Sequence, residues 1–169
     1  MDVIQAIHGR RSIRKYSDQG VPEEVVREVL GAAMAAPSAG NQQPWHFITV
    51  TDRAVMAAIQ KIHPHAGALD TAPVAIVVCA DERLEKYKGF WVQDCSAATQ
   101  NLMLAAYARG LGTVWLGVHP LADRVTGIRA LLGLPGSVIP LAVIPLGYPA
   151  EKRSSVDRFD DSRVHANKW

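Results

Sequence analysis

The chain has 169 residues, with 18 Lys+Arg against 16 Asp+Glu and a formal charge of +2. Hydrophobic residues make up 49% and charged residues 20%, which excludes a disordered chain and fits one soluble domain large enough to bury a core. The near-neutral balance speaks against a nucleic-acid module, and no apolar run reaches the roughly 20 residues of a membrane span.

Met1-Asp2-Val3-Ile4 lacks the basic region and apolar stretch of a secretory leader, so a cytoplasmic protein is expected. Asp2 can cap a short helix through His8 that Gly9 ends. Val21-Pro22-Glu23-Glu24 opens a second helix: proline suits the first helical position and the carboxylates complement the positive end of its dipole. Val25, Val26, Val29, Leu30, Ala33 and Met34 then form one apolar face. Residues 36–44 hold two prolines and a Gly-Asn pair and must be a loop. Residues 46–51 read as a strand, after which Asp52 caps a helix to about Ile62. Residues 63–72 are irregular, and residues 74–80 form a continuous apolar run of strand length, expected to be covered on both faces. The stretch from Trp91 to Arg109 is the longest helical pattern and is apolar nearly all round, which calls for cover from a second subunit; the alternative is a central helix enclosed by its own chain. A strand over 112–118, a helix over 121–132 and a strand over 138–146 follow. The last tolerates Pro140 and Pro145 only at an edge, an end or a bulge. The final 20 residues are polar and charged but end in Trp169; such a tail is expected to dock on a neighbour. Cys79 and Cys95 form no CxxC pair and read as buried, reduced thiols.

Three clusters could carry chemistry. In an extended Arg10-Arg11-Ser12-Ile13-Arg14, residues 10, 12 and 14 share one side, and guanidiniums flanking a hydroxyl make a phosphate clamp. The alternative is a solvated basic face. Pro37-Ser38-Ala39-Gly40-Asn41-Gln42-Gln43-Pro44-Trp45 offers carboxamides and a hydroxyl in a proline-bracketed loop suited to a polyhydroxyl chain or a heterocycle edge; the alternative is a surface turn anchored by Trp45. In Gly112-Thr113-Val114-Trp115-Leu116-Gly117, Gly117 would let a flat ligand approach the backbone, or the segment is a strand that contains glycines. No GxGxxG, Walker loop or GxSxG elbow is present. His63 and His65 lie in a flexible region without a third ligand, so no metal site is expected.

Taken in order, residues 10–16, 36–45 and 110–117, with Gly147-Tyr148-Pro149 and Arg158-Phe159-Asp160, resemble the FMN-dependent nitroreductase family in a short form. The resemblance covers almost the whole chain. It implies an α+β fold with a central, mainly antiparallel sheet flanked by helices, built as an intertwined homodimer with FMN at the subunit interface. Residues 1–169 would then be one FMN-binding domain whose 150–169 tail packs on the partner. Arg10 and Ser12 match residues that hold the FMN phosphate, with Arg11 in the same motif, and Arg158 and Lys152 match late basic residues that complete that site. Arg14 matches a basic position that tunes the flavin. Pro37, Ser38, Ala39, Asn41 and Gln42 match the loop that reaches the flavin from the partner, and Leu116 and Gly117 match backbone against the flavin ring.

The activity implied is ping-pong hydride transfer from NADH or NADPH, through FMN, to nitro, quinone or related small acceptors. Flavin N5 carries the chemistry, so no catalytic side chain is required. The alternatives are a dehalogenase or ene-reductase branch, and a non-catalytic flavin-binding protein.

Overall fold

The computed structural model describes all of residues 1–169. In chain order the elements are α1 (Val3–Gly9), α2 (Glu23–Met34), β1 (Trp45–Val50), α3 (Arg53–Ile62), β2 (Val74–Asp81), α4 (Trp91–Ala108), β3 (Gly112–Thr113), β4 (Leu116–Gly117), α5 (Ala122–Leu132) and β5 (Val138–Gly147). The helix starts follow their capping residues. Asp2 makes a capping box with Gln5, and Asp52 accepts from the N–H groups of Ala54 and Val55.

Every strand pairing is antiparallel, in the order β1-β2-β5-β3, with β4 also on β5. All eight residues of β2 are buried. Its side chains alternate between two layers: Ile76 and Val78 join Val29, Leu102 and Met103 beneath α2 and α4, while Val77 and Cys79 join Met56, Ile59 and Ile128 beneath α3 and α5. The continuous apolar run therefore marks a strand covered on both faces, as expected. The α+β class and the antiparallel sheet are likewise as the resemblance implies.

Two elements depart from expectation. The strand expected over 112–118 is broken into β3 and β4, because Val114 and Trp115 leave the ladder; Trp115 is turned outward. β5 is an inner strand despite its prolines. Pro140 lies at the register shift opposite Val78 and Cys79. The carbonyl of Pro145 faces away from β2, 3.3 Å from the Tyr16 hydroxyl. A strand residue directs its N and C=O to the same edge, so the missing N–H falls in the gap between β3 and β4.

The chain covers α4 only in part. Trp91, Cys95, Ala98, Leu102 and Ala106 are buried, but Gln93, Gln100 and Ala108 are exposed, with Ala97 and Leu104 half-buried between them. The tail from Lys152 is almost wholly exposed, and Trp169 touches little besides the ring of His165, 4.4 Å away between centroids.

Candidate functional site

The arginine segment is fixed from beneath. Ile13 is buried, its N–H donates to the Thr113 carbonyl at 2.9 Å, and its side chain fills the space a Cβ on Gly112 would need. The Tyr16 hydroxyl, itself buried, donates to the Ile13 carbonyl at 2.7 Å; burial raises its pKa well above the ordinary phenol value. With Ile13 turned in, Ser12 and Arg14 face a cleft of about 430 Å³ that Arg11, Arg153, Ser154 and Arg158 also line.

The arginines play different parts. Arg11, expected on the side opposite Ser12, reaches over to the tail instead: it donates to the carbonyls of Ser154, Val156 and Arg10. It is a staple for residues 154–156, with each of its three side-chain nitrogens engaged. Arg10 is the reverse. Its Nε and one terminal nitrogen are buried with no hydrogen-bond partner. Its pKa is lowered by burial first, then by the charges of Arg11 and Arg158. A guanidinium in this state lacks an anion. Neither Arg14 nor Arg158 is in an ion pair. The nearby acid, Glu151, is taken by the Arg14 N–H at 2.6 Å and by Arg153 at 2.8 Å, the first of which does most to hold its carboxyl below the usual range. Lys152 lines an adjoining cleft of about 400 Å³ with Arg11, Gly9 and Tyr107. The donor set suits a phosphate monoester, which carries about two negative charges, and the residues present therefore fit FMN.

The loop from Pro37 to Gln42 is held by a residue that the sequence motifs did not single out. Asp94, buried in the first turn of α4, accepts from the Ala39 N–H at 2.9 Å and from Gln42 Nε2 at 2.6 Å. Gln42 Oε1 in turn accepts from the N–H groups of Lys86 and Tyr87. Both ends of the Gln42 carboxamide are thus engaged inside the chain, and it braces the loop. Ser38 Oγ accepts from the Gln43 N–H at 3.0 Å. Gly40 and Asn41 turn the chain with φ of +51° and +54°, a region that favours these two residue types. Pro37 and Asn41 are left exposed, and Ser38 and Ala39 half-buried. The one sequence signal for Asp94 is a carboxylate on a helix otherwise apolar on that side. None of the loop's residues lines either arginine cleft.

At the third cluster, Leu116 is buried and Gly117 half-buried. A Cβ on Gly117 would meet nothing within 4 Å, so a flat surface is free to approach. The Gly117 carbonyl accepts from Arg124 Nη1 and lies against His63 Nε2, both at 2.9 Å. His63 is therefore not in a flexible region: it is 2% exposed and caps the C-terminus of α3. The structure brings the first and third clusters side by side through Ile13 and Thr113.

Comparison with known proteins shows the family of this chain. A Methanothermobacter thermautotrophicus protein named "Putative NADH dehydrogenase/NAD(P)H nitroreductase" is 56% identical over 169 residues, covering 100% of this chain and 88% of the relative. A crystal structure from Parabacteroides distasonis bearing the same name superposes with a TM-score of 0.95 at 41% identity, over 99% of this chain and 98% of the other. An FMN-dependent nitroreductase of Clostridium difficile superposes with a TM-score of 0.91 at 30% identity, over 98% and 99% of the two chains. The profile of the Nitroreductase family matches residues 7–68 and 63–148, and with these relatives it shows that the chain belongs to the Nitroreductase family.

Proposed function

We propose that this chain is an FMN-dependent NAD(P)H oxidoreductase, active as a cytoplasmic homodimer, that passes hydride to nitro, quinone or related small acceptors by a ping-pong route. The observation that carries the reading is Arg10: two buried, unpartnered guanidinium nitrogens beside two further arginine charges. The name of the Clostridium difficile structure supports the choice of FMN, and that of the Methanothermobacter thermautotrophicus relative supports NAD(P)H.

When bound, FMN supplies two-electron hydride acceptance and delivery in two half-reactions. Everything else is binding and orientation by the chain. Arg10 and Ser12 grip the phosphate, and Arg158 and Lys152 add charge from the tail. Arg14, whose guanidinium is free, stabilises negative charge at the polar edge of the ring. The Leu116–Gly117 backbone supplies a wall, with no Cβ at Gly117 to hold a ring off. Pro37, Ser38, Ala39 and Asn41 reach the same ligand from the second subunit, while Gln42 holds their loop in shape. The 150–169 tail of the single domain packs on that partner and covers what α4 leaves open. Solvent supplies the protons, so no acidic or basic side chain is needed over the ring.

The test is anaerobic mixing of the purified yellow protein with NADH or NADPH. Loss of the flavin's visible absorption, its return on adding a quinone or nitro compound, and parallel initial-rate lines are expected. Bound flavin that stays oxidised under an excess of both nucleotides would establish a flavin-binding protein instead.

A further inference from the structure

β4 is two residues long and pairs with β5 alone. Its other edge carries no strand, and the Gly117 carbonyl points there. It meets donors from two other elements: Arg124 in the first turn of α5 and His63 at the end of α3. The histidine tautomer follows from its neighbours. Nδ1 accepts the His65 N–H at 3.2 Å, so Nε2 carries the hydrogen and donates it to Gly117. Arg124 Nη1 and His63 Nε2, 3.1 Å apart, are then both donors. They make no bond with each other and converge on the one oxygen, filling both of its lone pairs.

We infer that Arg124, seated by a neutral His63, positions the Leu116–Gly117 backbone against the flavin ring and raises the ring's affinity for electrons. This rests on the flavin reading above. Two donors draw the Gly117 carbonyl away from the flank where no Cβ stands, which holds that flank flat. They also place a permanent positive charge one peptide unit behind the wall, where it favours the electron-rich form of whatever lies in front. Packing alone would be served by an apolar pair.

The clamp also depends on pH. His63 is buried, and the charged or titratable groups that face it are Arg124 from α5 and His65 from the following turn, with no acid among them. Burial first, and Arg124 second, hold its pKa below the ordinary imidazole value. A base neutral in the fold but free to protonate when unfolded contributes full stability above about pH 6.5, and that contribution falls as acid is added. Protonation would also break the His65 bond.

The experiment measures the reduction potential of bound FMN against free FMN, which reads the ratio of affinities for reduced and oxidised flavin, and riboflavin binding against pH. Arg124→Gln is expected to lower that ratio about fivefold; a purely structural role would weaken both affinities alike and leave the ratio unchanged. His63→Gln, whose amide can donate but not titrate, is expected to keep the wild-type ratio and to lose the acid-side fall in riboflavin binding, riboflavin having no phosphate whose own protonation at about pH 6 would weaken binding. An unchanged ratio in Arg124→Gln overturns the inference. Should that variant hold no flavin, His63→Gln decides, and an acid limb like that of the wild type overturns it. Wild-type protein that binds no FMN would overturn the flavin reading itself.

Discussion

Arg10 and Arg11 are neighbours of the same type with opposite states. Arg11 has found carbonyl partners in the tail, whereas Arg10 is half-buried with two nitrogens unsatisfied. An unmet buried donor destabilises the empty protein and strengthens any bond to an incoming anion. Arg10→Met should therefore leave the FMN-free protein at least as stable, by its melting temperature. FMN binding should weaken by about 1.5–3 kcal/mol, the loss of a charged hydrogen bond. Titration of both proteins with FMN and with riboflavin checks this, because the penalty belongs to the phosphate and should vanish for riboflavin. Equal losses for the two ligands would remove Arg10 from the phosphate site.

Among the elements, α4 does more than fill the core. Its Asp94 carboxylate holds the 37–42 loop by two hydrogen bonds, and through Gln42 it reaches the 86–87 segment. The loop contains three consecutive polar or glycine positions and would otherwise sample many shapes. Asp94→Ala leaves the Ala39 N–H and the Gln42 amide without an acceptor, so a loss of about 1.5–3 kcal/mol is expected in urea unfolding of the FMN-free protein. FMN affinity should fall as well, because the loop is no longer pre-shaped. Asp94→Asn, which keeps one acceptor, should lie between. A full loss of stability with unchanged FMN binding would separate the loop from the ligand.

At the scale of the whole molecule, a good deal of apolar surface is uncovered. α1 buries only Ala6, while Met1, Val3, Ile4 and Ile7 are between 47% and 69% exposed. The open stripe of α4 and the exposed Phe159, Val164 and Trp169 of the tail add to it. On the proposed reading this surface is the interface of the homodimer. Light scattering should give a native mass twice the 18.3 kDa of the chain. Ile7→Glu should yield monomers, and those monomers should hold FMN poorly, since the 37–41 loop is outside the arginine clefts of its own chain. Monomers with wild-type FMN affinity would place the whole site within one subunit.

The order of helices and strands could be read from local pattern, because an apolar stripe, a capping carboxylate or a proline acts on its own few neighbours. The β2 run and the Asp52 cap were legible in that way. What could not be read depends on partners far along the chain. Gln42 turns inward only because Asp94, 52 residues later, is there to receive it. His63 is buried only because Gly117 and Arg124 close over it, 54 and 61 residues away. Which of two adjacent arginines is left without a partner was settled by where the tail passes. The stretch over 112–118 broke in two because β5 offers pairing at 142–143 and at 146–147, with Pro145 between them. Periodicity carries the face a residue presents to its own element; the identity of the group it meets there is fixed only when distant segments pack.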